Sequence, residues 1–247
     1  MNDALARVLP SAADSSRPWL TWYSPDERIE LTGHVLSMWH AKCAGFLTAE
    51  AGPGARVHLG MTPHWRTVTW CAGAWLAGAT PVLLDSGDSF VENLLDEPPS
   101  ISVAFRIHWL FPSADVQVLV TMESLATRWP GPLPPLVLDG VADVMPLADR
   151  FPAVPTDGSA PALQIVRNGE PRTVSRDALV AAAPGADAEA ALATGARALL
   201  IQRRTTEQAL LGVLAAWRAG LTAVLVSPDA DAAVVASAAR QEGASSA

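Results

Sequence analysis

Two adjacent arginines, Arg203 and Arg204, stand just ahead of a segment, Thr206 to Ala219, whose apolar spacing predicts a helix. A helix N-terminus carries partial positive charge, and the guanidinium fork matches phosphate and carboxylate oxygens, so this arrangement suits an anion. His64 holds the equivalent place before another predicted helix, Trp65 to Ala77. Together these residues predict a crevice for an anionic small molecule. A structural role competes with that reading, because solvent or a nearby acid such as Glu207 can neutralise the arginines within the chain. Other chemistries have less behind them. The histidines His34, His40, His58, His64 and His108 form no H-x-x-x-H or comparable pair, so no metal site is expected. Gly-x-Ser-x-Gly is absent and no Ser/His/Asp trio stands out. Asp85 and Asp88 read as a loop turn and helix N-cap at a strand end.

The elements that must position these groups are announced by a phrase used twice. Residues 74–83, Ala-Trp-Leu-Ala-Gly-Ala-Thr-Pro-Val-Leu, return at 216–225 as Ala-Trp-Arg-Ala-Gly-Leu-Thr-Ala-Val-Leu, each after a Gly-Ala-Arg triplet at Gly54 and Gly195. The first copy predicts a strand Val57 to Met61, the helix from Trp65 with Val68, Cys71, Ala72, Trp75 and Leu76 inward, and a strand Thr80 to Leu84. The second predicts a strand Ala198 to Ile201, a helix with Leu210, Val213, Leu214 and Trp217 inward, and a strand Leu221 to Val226. Gly78 and Gly220 close the two helices. Strand, helix, strand is a βαβ unit of a parallel sheet. Ligands in such sheets bind beyond the carboxyl ends of the strands, which selects the loops Thr62-Pro63-His64-Trp65 and Gln202-Arg203-Arg204-Thr205.

Elsewhere the pattern predicts a strand Trp19 to Tyr23, a turn at Pro25-Asp26, a helix Leu31 to Thr48, a helix Ala104 to Leu110 and a strand Val116 to Thr121. Strand Leu163 to Val166 and helices Asp177 to Ala183 and Ala230 to Glu242 complete the reading. Eight of the 20 prolines fall in Pro130 to Pro161, which predicts an extended connection between two halves. The tryptophans are read as core anchors; Trp65, Trp70 and Trp75 recur every five residues and so share no single helix face.

Composition narrows the partners. A net charge of −8, with Lys42 the sole lysine, excludes a general nucleic-acid or anionic-membrane surface. No apolar run approaches the roughly 20 residues of a membrane span, and the N-terminus has no signal core. Cys43 and Cys71 read as buried free thiols, and the expected location is the cytoplasm.

The stretch Trp19 to Asp85 resembles the opening of the adenylate-forming (AMP-binding, acyl-CoA synthetase-like) superfamily. The matching residues are Leu20-Thr21-Trp22-Tyr23, Pro53-Gly54-Ala55-Arg56-Val57, and Ala77-Gly78-Ala79-Thr80-Pro81-Val82-Leu83-Leu84-Asp85. The resemblance implies an α/β fold of two related, mostly parallel subdomains. Boundaries are expected at 1–129 and 162–247, with 130–161 the proline-rich connection. Where the superfamily carries a Ser/Thr/Gly-rich phosphate loop, Leu163 to Val174 keeps only Gly169, Pro171, Arg172 and Val174. Arg172 takes the lysine position and joins the expected crevice. Gln164, Ile165, Val166 and Arg167 replace the hydroxyl cluster, and Glu170 adds negative charge. The superfamily's adenine, metal and ribose contacts and its lid lysine lie further along than Ala247. The chain is similar to a short, truncated actinobacterial-type member, and the resemblance implies a catalytically degenerate small-ligand-binding, regulatory or assembly module. No cofactor is expected, ATP, AMP or CoA included. An acyl-adenylate or acyl-CoA ligase component completed by a partner chain, and a structural homodimer, stay open as alternatives.

Overall fold

Both copies of the repeated phrase fold as strand, helix and strand. The computed structural model describes residues 3–84, 95, 97–183 and 185–246. The first copy gives β3 (Arg56–Gly60), α3 (Trp65–Leu76) and β4 (Thr80–Leu84), if strands and helices are numbered along the chain. The second gives β10 (Ala198–Gln202), α6 (Thr206–Arg218) and β11 (Thr222–Val226). Their ends match bond for bond. Gly78 and Gly220 adopt φ of 70° and 75°, where a side chain would be strained. Ala79 N–H then reaches the Ala74 carbonyl, and Leu221 N–H the Ala216 carbonyl, each at 2.8 Å.

The likeness extends beyond the phrase. Ahead of β3 lie an antiparallel hairpin, β1 (Pro18–Tyr23) and β2 (Arg28–Thr32), and α2 (Gly33–Ala51). Ahead of β10 lie the hairpin of β8 (Pro161–Arg167) and β9 (Glu170–Ser175), then α4 (Arg176–Ala182) and α5 (Gly185–Ala193). Thr32 caps α2 by accepting from Val35 N–H, and Ser175 caps α4 by accepting from Ala178 N–H. The repeated unit therefore runs 18–84 and again 161–226.

Each hairpin joins the other unit's sheet. β1 pairs in parallel with β11, Leu20 opposite Ala223, while β8 pairs in parallel with β4, Val82 opposite Gln164. The remaining elements are α1 (Ala4–Val8), β5 (Ile101–Ala104), β6 (Val116–Leu119), β7 (Val137–Asp139), α7 (Ala232–Glu242) and β12 (Ala244–Ser246). One sheet runs β12-β10-β11-β1-β2 and the other β7-β6-β5-β3-β4-β8-β9. The expected division at 129 and 162 is thus corrected: residues 18–32 complete the late sheet and 161–175 the early one. Edge pairing between distant segments, which no local pattern encodes, decides this. The proline-rich passage is mostly irregular as expected, yet it contributes β7 and packs Val141 and Val144 into the core. A helix at Ala104 to Leu110 is also corrected. Residues 101–104 form buried β5, and only Ile107–Trp109 make a 3₁₀ turn. The acids Asp85 and Asp88 lie outside the described residues.

One apolar core continues across both sheets. α2 touches strands of each sheet, and α3 is buried along its length from Trp65 to Trp75. Its one buried cation, Arg66, donates to the Glu123 and Ser124 carbonyls and stacks 4.5 Å from the Trp65 ring, and burial lowers its pKa to about 10. Cys43 and Cys71 are buried and free. Among the described residues, no helix is long and apolar enough to cross a membrane.

A second buried cation ties α1 down. Arg176, 1% exposed, donates to both carboxylate oxygens of Asp3 and to the Trp75 carbonyl. Asp3→Ala is expected to cost about 3 kcal/mol in urea denaturation, because it strands a charge inside. The pair Asp3→Leu with Arg176→Met should recover most of that loss. A single-variant cost below about 0.5 kcal/mol would mean that Arg176 is solvated without Asp3.

Candidate functional site

The carboxyl ends of β3, β4, β8 and β10 converge on one crevice between the two repeated units. Leu59, Met61, Thr62 and Pro63 line it from the first unit, with Leu83 and Leu84; Arg204, Thr205, Thr206 and Glu207 line it from the second. Ile165 and Arg167 of β8 close the side. The Thr206 hydroxyl donates to the Met61 carbonyl at 2.8 Å and links the two sides. The space is about 90 Å³, far below the roughly 300 Å³ where small-molecule pockets begin.

The crevice contains a built-in anion. Glu207 sits in the first turn of α6, behind its N-cap Thr205, where a negative charge is favoured. Its carboxylate accepts from Arg167 at 3.2 Å and from Arg172 at 2.5 Å. Both arginines project from the β8–β9 hairpin, whose turn is Asn168-Gly169 with φ of 54° and 81°. Two consecutive positive φ values make the tight turn whose twist suits a hairpin. Arg167 pairs directly with Glu170 across it, so the segment has no open loop of amides to wrap a phosphate chain.

The four expected site residues separate. Arg204 is exposed, lines the crevice and forms no ion pair among the described residues. Arg172 stands on an adjoining hollow of about 390 Å³ with Arg167, Asn168 and Glu170, and reaches the crevice only through Glu207. Arg203 turns away, donating to the Gln202 carbonyl and lying 3.6 Å from Asp187 of α5. His64 does not reach the crevice, and its expected place there is corrected. It is 1% exposed, its Nδ1 accepts from Arg66 N–H at 3.1 Å as the cap of α3, and its ring packs 4.5 Å from Trp22. Burial, with Arg66 close by, lowers its pKa to about 3, so it is neutral. Sequence reasoning named Glu207 as a neutralising acid but gave it the wrong arginines. It overlooked Asn168-Gly169, the strongest short hairpin signal in the chain. Among the described residues, no three His, Cys, Asp or Glu are placed to hold a metal ion.

No family model matches the sequence. A TIGR03089 family protein of Mycobacterium tuberculosis is 40% identical over 78 residues, covering 30% of this chain and 32% of that protein. An acyl-CoA synthetase from Brucella canis superposes with a TM-score of 0.80 at 17% identity, over 99% of this chain and 46% of that one. A long-chain-fatty-acid-CoA ligase from Archaeoglobus fulgidus gives 0.71 at 17% identity, over 98% and 50%. The N-terminal domain of FACL13 from Mycobacterium tuberculosis gives 0.68 at 19% identity, over 99% and 62%. The chain thus spans about half the length of the first two of these proteins. At such identities the likeness establishes architecture, and the architecture is that of the N-terminal domain of adenylate-forming enzymes.

Proposed function

We propose that this chain is a catalytically degenerate adenylate-forming scaffold that binds a small anion in a regulatory or assembly role. The observation that carries the reading is Glu207 seated between Arg167 and Arg172, beside a two-residue turn where the resemblance places the triphosphate loop. Phosphoryl chemistry needs donors aimed at a chain of phosphates and a metal to spread their charge. A carboxylate at that position repels the same group. What the crevice can accept is one anionic head against Arg204 and the start of α6, with no requirement for ATP, AMP or CoA.

The purified chain is expected to show no carboxylate-dependent ATP–pyrophosphate exchange; clear exchange by the chain alone overturns the proposal. Exchange that appears only with an added partner chain replaces it with the ligase-component reading. Binding is tested with inorganic phosphate by calorimetry. Glu207→Gln should tighten phosphate binding about fivefold at low salt, less at high salt, because the released arginines are solvent-screened. Arg204→Glu should abolish it. Unchanged affinity in both variants excludes the crevice as the anion site.

A further inference from the structure

The run from Pro130 to Leu136 reads Pro-Gly-Pro-Leu-Pro-Pro-Leu. Each proline ring locks φ near −65°, and the residue ahead of a proline is pushed out of the helical region. Gly131, Leu133 and Pro134 each stand ahead of one, so the chain is held to an extended, polyproline II course. Residues 130–134 accordingly lie in neither helix nor strand. Such a helix repeats every three residues and therefore has three ridges. Leu133 takes the inward ridge, half-buried and packed with Trp129 against the cluster of Leu110, Leu119 and Val137. The pairs on either side of it turn outward: Gly131, Pro132 and Pro135 are exposed, and Pro134 is half-buried. Two X-Pro pairs around one inward residue make the Pro-x-x-Pro spacing that aromatic-lined grooves read.

Both ends of the segment are fixed. Trp129 N–H donates to the Asp139 carboxylate at 2.8 Å, and Val137 pairs with Gln117 in the sheet. The segment is thus displayed already shaped, which lowers the ordering cost of binding. Its last turn, Pro134 to Val137, is closed by Val137 N–H to the Pro134 carbonyl at 3.2 Å. Proline second and a positive φ third define a type II turn, whose third place favours glycine. Leu136 stands there instead, with φ of 66° and 96% exposure. A bulky residue in that region is strained, and this side chain buries almost nothing within the chain in return. Arg128, just ahead, is exposed and enters no ion pair among the described residues. None of these residues lines the anion crevice. We infer that residues 131–136 are a docking segment for a partner domain whose aromatic-lined groove reads polyproline II. Leu136 is its flanking apolar anchor, and Arg128 favours an acidic rim on that groove.

Three isolated domains that read polyproline II, an SH3, a WW and an EVH1 domain, serve as ¹⁵N-labelled probes of the full chain. At least one is expected to bind saturably, with shifts centred on the aromatic residues of its groove. Pro132→Ala combined with Pro135→Ala should weaken that binding about tenfold. Leu136→Gly should weaken it about threefold while raising the melting temperature by roughly 1–3 °C, because it relieves strain and removes no internal contact. The proposal is overturned if none of the three domains binds, or if the shifts fall outside the groove. It is also overturned if the double variant keeps full affinity, or if Leu136→Gly lowers the melting temperature. The titration with the unaltered chain decides the matter even if the double variant does not fold.

Discussion

Lowering the pH from 7 to 5 is expected to remove roughly 4–6 kcal/mol of stability, comparable to the whole folding free energy of many domains. Three histidines are responsible. Burial lowers His40 to about 3, His58 to about 4 and His64 to about 3, all well below the ordinary value near 6.5. In the folded chain they stay neutral through this range, whereas the unfolded chain takes up a proton at each as the pH falls below about 6.5. Between the unfolded and folded pKa values the unfolded state therefore binds more protons. Stability is full above about pH 6.5 and drains away as the pH falls toward 4. Glu27, 4.0 Å from His64 Nε2, would partly offset the cost if that ring became charged. His58 packs against Phe111 with its Nδ1 2.9 Å from the Ser102 hydroxyl, and Trp217 lies near His40. Urea denaturation at pH 7, 6 and 5 should show a steep loss, with about three protons taken up on unfolding at pH 5. An uptake below one proton would mean that the rings are already charged or exposed.

Trp75→Ala is expected to cost about 3–5 kcal/mol, since a buried tryptophan leaves both a cavity and lost transfer energy. Trp75 is 1% exposed, and its indole N–H donates to the Ala162 carbonyl at 2.7 Å. That carbonyl belongs to β8, the strand laid against β4. Trp217 repeats the device in the second unit, donating to the Trp19 carbonyl of β1, the strand laid against β11. The tryptophan of the repeated phrase therefore does more than fill space. It clasps the strand that arrives from the other unit. Trp75→Phe keeps most of the burial and loses only the clasp, so it should cost about 1–2 kcal/mol. Denaturation curves for the three proteins test this, and a Phe variant as stable as the parent would show that packing alone holds β8.

The strands and helices of the repeated phrase were legible because packing wrote them. Val57, Leu59, Val68, Cys71 and Trp75 recur at the periods their elements demand, and Gly78 punctuates them. The stretch from Ala104 to Leu110 misleads, because a few apolar residues fit a buried strand end and a helix equally well. His64 misleads for another reason. Its place before α3 copies that of Arg203 before α6, and no local pattern distinguishes a ring that turns inward to cap its helix from one that faces solvent. The pairing of Glu207 with Arg167 and Arg172, rather than with its neighbours in sequence, needs the β8–β9 hairpin to be brought to α6 from another sheet. Such contacts belong to the assembled fold.

The exchange of hairpins sets an order of events on the ribosome. The neighbour that completes β1, β11, is synthesised some 200 residues after it, as the pairing of Leu20 with Ala223 requires. At ordinary translation rates that is a delay of roughly 10–40 s. During it the β1–β2 hairpin has one edge open and Trp22 without the core that buries it. The β3–α3–β4 unit likewise waits for β8. The β1–β2 hairpin therefore keeps an unpaired strand edge until β11 is made. β8 arrives first and completes β4, and β11 arrives later to complete β1.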